Sequence, residues 1–243
     1  MKQWYEIKAK ADEKRAEIWI YEEIGENFWG EGLTAKQFVK DLAALDVDAI
    51  DLHINSPGGN VFDGQAIYTA LRRHKASITT TIDGLAASIA SVVALAGERV
   101  LMAANALFMI HDPWGMAMGT SADMRDFAEV LDKVADTIVG VYVAKSGMDE
   151  PEVRAAMAAE TWMDAEEAEA FGFVDEVTGA LKMAATFDLS RFRNAPTRRF
   201  PEDAPDGAAE TPADAPAAEA TAQDRDRVLI PGMFFKDFTK RKA

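Results

Sequence analysis

An α/β fold with parallel strand pairing is what this sequence predicts, on three observations. Short runs alternate apolar and polar residues, as at 49–54 (Ile50, Leu52, Ile54) and 77–82 (Ile78, Thr80, Ile82). Stretches of helical period separate these runs, one carrying Phe38, Leu42 and Leu45, the next Ala66, Ile67, Ala70 and Leu71. Glycine-marked turns join strand to helix, and a helix between two strands returns the chain for parallel pairing. The chain has 243 residues, 49% of them hydrophobic, enough for one full core with appendages.

Taken in order, residues 17–21 form a short strand with Ile18 and Ile20 on one face, and 25–32 a glycine-punctuated loop holding Phe28 and Trp29. Thr34 caps the first helix and Asp46 ends it. His53 lies on the strand face opposite the isoleucines and reads as structural. Asn55-Ser56-Pro57-Gly58-Gly59 breaks that strand, and two glycines after a proline make a tight turn whose backbone can approach a ligand closely. The next helix ends in Arg72, Arg73, His74 and Lys75, as the helix dipole favours, with His74 a solvated helix-end residue.

The strand at 77–82 leads into Asp83-Gly84-Leu85-Ala86-Ala87-Ser88-Ile89-Ala90-Ser91, and Ser88 is expected in the first turn of a small-residue helix running toward Gly97. Small neighbours leave its hydroxyl accessible, and free N–H groups converge there. Strands are expected at 99–102 and 106–110, the second running straight into His111-Asp112-Pro113-Trp114-Gly115. A long helix over 122–145 carries the stripe Phe127, Leu131, Val134, Ile138 and Val141, as ordinary core or as an oligomer contact. A short helix at 150–159, an extended stretch at 160–163, a helix capped by Asp164, and late strands at 171–174 and 181–184 complete the body.

Composition then narrows function. There is no cysteine, which excludes disulfides and a cysteine nucleophile. Three histidines (53, 74 and 111) leave few ways to build a metal site, and no metal or cofactor is expected. The net charge of −15 argues against nucleic acid or anionic lipid as partner. No apolar run is long enough to span a membrane, and residues 1–10 lack the apolar centre of a signal peptide, so a cytoplasmic protein is expected. The expected organisation is an N-terminal segment (1–15), one domain (16–190), a disordered acidic Ala/Pro-rich linker (191–227) and a short apolar-basic peptide (228–243) suited to docking.

A serine hydroxyl needs a base to take its proton, and the base needs a carboxylate. Ser88 and then His111 supply the first two in chain order. For the third, Asp112 adjoins His111 and points elsewhere, which leaves Glu160, Asp164 and Asp175. Activity is then expected to rise as His111 loses its proton, with a flat profile over about pH 5 to 9 counting against that role.

Four blocks in this order resemble the ClpP serine peptidases: Asn55-Ser56-Pro57-Gly58-Gly59, Gly84-Leu85-Ala86-Ala87-Ser88, Met109-Ile110-His111, and Glu166-Glu167-Ala168 with Phe171-Gly172-Phe173-Val174-Asp175. The resemblance covers residues 16–178. Val61-Phe62-Asp63-Gly64, Pro113-Trp114 and Glu160-Thr161-Trp162 look like the branch coded by phages and prophages, which is associated with prohead maturation. The resemblance implies a ClpP/crotonase-type fold of repeated ββα units. It implies Ser88 as nucleophile, His111 as general base and Glu160 as acid, where housekeeping relatives have Asp; Asp164 is the reserve. It implies oxyanion donors at the Gly59 and Ile89 N–H groups, and substrate contacts along Gly58, Asn60 and Val61 as a strand edge. The long helix corresponds to the family's handle, which implies a homo-oligomeric ring acting on polypeptide, here capsid or scaffold protein.

There is no Gly-x-x-x-x-Gly-Lys-Ser/Thr loop, so the chain is expected to hydrolyse no ATP, and no unfoldase partner is evident. Two alternatives stand beside the capsid protease: a proteolytic subunit of an ATP-dependent Clp-type complex, and a catalytically idle oligomeric scaffold. A crotonase-type hydratase is the weakest, since acyl-CoA chemistry does not require the Ser88 and His111 blocks.

Overall fold

The structure, a computed structural model, describes residues 4–10, 13–25, 34–181 and 187–196. Its α/β architecture agrees with the expected class. Strands β1 (Tyr5–Lys10) and β2 (Arg15–Ile20) form an antiparallel pair. Helix α1 (Ala35–Ala43) leads to β3 (Ala49–Ser56), α2 (Val61–Arg73) leads to β4 (Ser77–Ala87), and α3 (Ile89–Ala94) leads to β5 (Arg99–Ala103) and β6 (Leu107–Ile110). Then follow α4 (Ser121–Ser146), α5 (Glu150–Ala158), β7 (Thr161–Met163), α6 (Ala165–Ala170) and β8 (Glu176–Thr178).

The main sheet runs β1-β2-β3-β4-β5-β8, parallel from β2 onward. Strand β4 is the branch point. Its first half pairs with β5 through Thr79–Ile82, and its second half pairs with β6 through Leu85, Ala86 and Ala87. Strand β7 then adds to β6 antiparallel. One strand thus belongs to the main sheet and to a three-stranded extension, and the site lies on the extension. The core fills around Ile18, Ile20, Ile50, Leu52, Ile54, Ile82 and Phe108, all fully buried.

Several boundaries differ from the sequence expectation, each for a local reason. The segment before residue 15 supplies β1: Trp4 and Tyr5 pack on Phe38, and the Tyr5 hydroxyl donates to Asp41 at 2.6 Å. Strand β4 runs through Gly84 to Ala87, because β6 offers a second partner just where β5 ends. The strand expected at 171–174 is instead the cap of α6. Gly172 adopts φ 79°, Phe173 N–H donates to Ala168 O at 3.0 Å and Gly172 N–H to Glu169 O at 2.9 Å, a Schellman closure that uses the backbone groups a strand would need. The strand that does form there is β8. Of the strand expected at 181–184, Leu181 is irregular and bonded to Asn105, and the rest lies outside the described residues. Residues 26–33, with most of the loop expected at 25–32, and residues 197–243, with most of the expected linker and all of the expected docking peptide, also lie outside them. Residues 191–196, expected as the start of the linker, lie against the body.

Candidate active site

Parallel pairing brings the serine and the histidine together. Strands β4 and β6 point the same way with Ala87 opposite Met109, so the residues that follow leave the sheet at one end. Ser88 N–H donates to Met109 O at 3.0 Å, which extends the ladder by one bond. The chain must then turn abruptly into α3, and Ser88 makes that turn at φ 57°, ψ −131°. For a non-glycine residue this conformation costs on the order of 1–3 kcal/mol and persists only when its surroundings enforce it. Here the surroundings are Ala86, Ala87 and Ala90, all buried, and Gly64 of α2, where any Cβ would collide with Ile89. Ser88 therefore sits at the N-cap of a six-residue helix, one position earlier than its expected place in the first turn.

Ser88 Oγ lies 2.7 Å from His111 Nε2. His111 is largely enclosed, and its pKa is pushed down to about 4. Burial is the main cause, opposed by the Glu160 charge and reinforced by Arg191 and Arg193. A neutral imidazole accepts at Nε2, so the serine hydroxyl can donate its proton there.

The Pro57-Gly58-Gly59 turn packs against this pair. A Cβ on Gly58 would stand 2.7 Å from Ser88 Cβ, and one on Gly59 would collide with Ile24 O. With φ of 92° and 145°, both positions require glycine. The Gly59 and Ile89 N–H groups have no hydrogen-bond partner among the described residues. The strand edge expected along Gly58, Asn60 and Val61 is largely taken. Ile24 N–H donates to Gly58 O at 2.7 Å, and Asn60 N–H donates to Ile24 O at 2.9 Å. The Asn60 side chain caps α2, and Val61 is that helix's first residue.

The carboxylates fall in different places. Glu160 is 5% exposed, at φ 51°, just before β7. Its Oε1 accepts from Asn194 N–H at 2.6 Å and Trp162 Nε1 at 3.3 Å, and its Oε2 from Arg193 N–H at 3.1 Å. Burial raises its pKa, but these three donors and the His111 charge outweigh that, and the net shift is downward. No hydrogen bond joins it to His111 among the described residues. Asp164 is the N-cap of α6, accepting from Glu167 N–H at 2.9 Å. Asp175 accepts from Val100 N–H at 2.7 Å and pairs with Lys145. Asp112 is exposed. Glu160 is thus the carboxylate whose charge bears on His111.

Sequence reasoning missed the lid on this pair. Phe192, 6% exposed, stacks edge-on against His111 and against Trp162, with ring centroids 5.6 and 5.5 Å apart. A lone aromatic in Arg191-Phe192-Arg193, beside an apolar-poor stretch, was the available signal.

A family model described as Clp protease matches residues 1–180. The ATP-dependent Clp protease proteolytic subunit of Leuconostoc citreum (strain KM20) is 37% identical over 132 residues, which is 53% of this chain and 66% of that relative, just short of two thirds of its length. The family match takes in most of the 243 residues, from β1 through β8, and the chain belongs to the Clp protease family.

Proposed function

We propose that the protein is a serine endopeptidase in which Ser88 is the nucleophile and His111 the general base. The observation that carries this is the 2.7 Å contact between Ser88 Oγ and His111 Nε2, on a serine held in a strained turn. In the first step His111 Nε2 takes the hydroxyl proton as Ser88 Oγ bonds to the scissile carbonyl carbon. The oxyanion that forms is met by the N–H groups of Gly59 and Ile89. His111 then gives its proton to the leaving amine, and an acyl-serine remains. Water repeats the sequence and releases the second product. Glu160 supports the imidazolium through its charge.

The proposed substrate is polypeptide. The proposed assembly is a homo-oligomer built along α4, whose buried contacts, Val134, Ile138, Val139 and Tyr142, lie only in its second half. Its first half and the loop before it expose Met124, Val130, Trp114, Met116 and Met118, the last 85% exposed. Capsid or scaffold protein in a phage prohead is the specific substrate we propose, on the phage-like Val61-Phe62-Asp63-Gly64 and Glu160-Thr161-Trp162 blocks. The name of the Leuconostoc relative favours a second reading, a proteolytic subunit served by an ATP-driven partner. Degradation of a folded substrate only with a host unfoldase and ATP would select that reading. Trimming of co-expressed capsid protein, lost in Ser88→Ala, would select the first.

Intact mass after fluorophosphonate treatment tests the chemistry. One adduct on the wild type, absent in Ser88→Ala, is the expected result. No adduct on the assembled oligomer would leave the idle-scaffold reading standing in its place.

A further inference from the structure

We infer that residues 187–196 are an inhibitory strap, which closes the Ser88–His111 cleft and holds Glu160 away from His111 until it is displaced. The inference rests on the peptidase reading above.

The strap is anchored on both walls of the cleft. On one side Arg191 pairs with Glu23, and its Nη2 donates at 2.8 Å to Pro57 O, in the turn that packs on Ser88. On the other, the Arg193 and Asn194 N–H groups take the Glu160 carboxylate, and Asn194 Nδ2 donates to Ala159 O at 2.8 Å. Between the anchors Phe192 fills the space over His111, sharing an apolar cluster with Leu85, Ala87, Met109 and Trp162. The guanidinium of Arg191 lies over its ring at 5.0 Å.

Two features make this a plug and not a bound substrate. Its backbone is turned, with Phe192 N–H closed onto Leu189 O at 3.0 Å, whereas a peptide read by its backbone lies extended. Its hold is also modest. Phe192 is the single buried residue of the ten; Phe187, Leu189 and Ala195 pack half-buried on the same cluster, and the other anchors are polar contacts at the cleft rim. A strap with a single buried aromatic anchor can be displaced by a substrate, a neighbouring subunit or a cut.

The strap also explains why Glu160 lies beside the serine–histidine pair without bonding it. The carboxylate is already occupied by the strap's own N–H groups. Releasing the strap frees it for His111, which loses its apolar cover at the same moment.

The test uses the full chain. Phe192→Asp removes the anchor and places a charge in the apolar cluster; Arg191→Ala loosens the Pro57 side without entering it. Two quantities are measured on wild type and both variants: the fluorophosphonate labelling rate, and hydrogen exchange of the 190–196 amides. The expected result is faster exchange at Phe192, Arg193 and Asn194, with labelling faster by about tenfold or more in Phe192→Asp. A smaller rise is expected in Arg191→Ala. Equal labelling with freed amides would overturn the strap and leave the peptidase reading intact. Amides that already exchange freely in the wild type would overturn it as well. Freed amides with no labelling in any protein would overturn both readings.

Discussion

Of the three histidines, two stand on or just after strands that pair in parallel with β4, and they are set in opposite electrostatic states. His53, on β3, places Nδ1 2.9 Å from Asp83, a carboxylate 3% exposed that also accepts from the Tyr21 hydroxyl at 2.5 Å. That bond raises the pKa of His53 against the desolvation that would lower it. His111 has a hydroxyl on Nε2 and, among the described residues, no carboxylate bond, and burial dominates it. The cation is therefore favoured at His53 and disfavoured at His111. A bonded acid makes a structural ion pair, while a histidine kept neutral beside a serine can accept a proton. Proximity of an acid in the sequence did not decide this: Asp112 adjoins His111, whereas Asp83 lies thirty residues from His53.

The largest way to break the comparison is Ser88→Ala, which takes the hydroxyl from one histidine and leaves the other untouched. Peptidase activity is expected to fall on the order of 10⁶-fold, as removal of a serine nucleophile does elsewhere. The urea midpoint is expected to move little or to rise, because alanine relieves no contact on which the core depends. An activity loss below tenfold would remove Ser88 from the mechanism.

Next is Asp83→Asn. It replaces the shared acceptor of His53 and Tyr21 within the sheet, and leaving buried donors poorly matched costs about 1–3 kcal/mol. Urea denaturation checks this. The His53 pKa is expected to fall at the same time, while that of His111 stays low; a joint fall would mean that the two clusters are coupled.

The contrast was only partly legible beforehand. The Ser88–His111 half could be read because it is carried by strand register: β4 and β6 pair in parallel, and short blocks fix which residues stand at their shared end. The fold was legible for the same reason, since alternation at Ile50–Ile54 and Ile78–Ile82 marks buried strands. The rest depends on contacts far apart in the chain. Arg193 and Asn194 reach Glu160 across more than thirty positions, and Tyr21 reaches Asp83 across 62. No periodicity records such pairings. Strand β1 was missed because Glu6, Lys8 and Lys10 make it look like a charged terminus. The cap at Phe171–Val174 reads as a strand in the sequence because buried Phe173 and Val174 carry no mark of helix closure except Gly172.

A third measurement follows activity against pH. Groups facing His111 are Ser88 on one side, Glu160 and the β7 edge on another, and Arg191, Phe192 and Arg193 from the strap. The neutral imidazole is the base, so activity of the opened form rises with pH as His111 loses its proton, whereas under the closed strap burial holds its pKa at about 4. The resting wild type, followed by NMR titration of His111, is therefore expected to show no ionisation over about pH 5 to 9, where an ordinary histidine would, and a flat activity profile over that range still counts against His111 as base. Phe192→Asp removes apolar cover and adds a negative charge, so its His111 titration is expected to move upward. A resting wild-type midpoint near the ordinary histidine value of about 6.5 would show His111 to be more hydrated than the structure has it.

The smallest effect is on stability, and here the two histidines have opposite signs. His53 has a folded pKa above its unfolded value, so its contribution is complete below about pH 6.5 and is lost as pH rises through the raised pKa. His111 has a folded pKa of about 4, below its unfolded value. Between about pH 6.5 and 4 the unfolded chain binds the proton that the folded chain refuses, so His111 makes the fold less stable as pH falls. Substituting each with Gln should therefore tilt the stability curve in opposite directions. From pH 7 to 5, His111→Gln loses less stability than the wild type, and His53→Gln loses more. Urea midpoints at the two pH values for the three proteins decide it. Tilts of the same sign would mean that the carboxylate at Asp83 and the burial at His111 do not govern the two groups as the geometry requires.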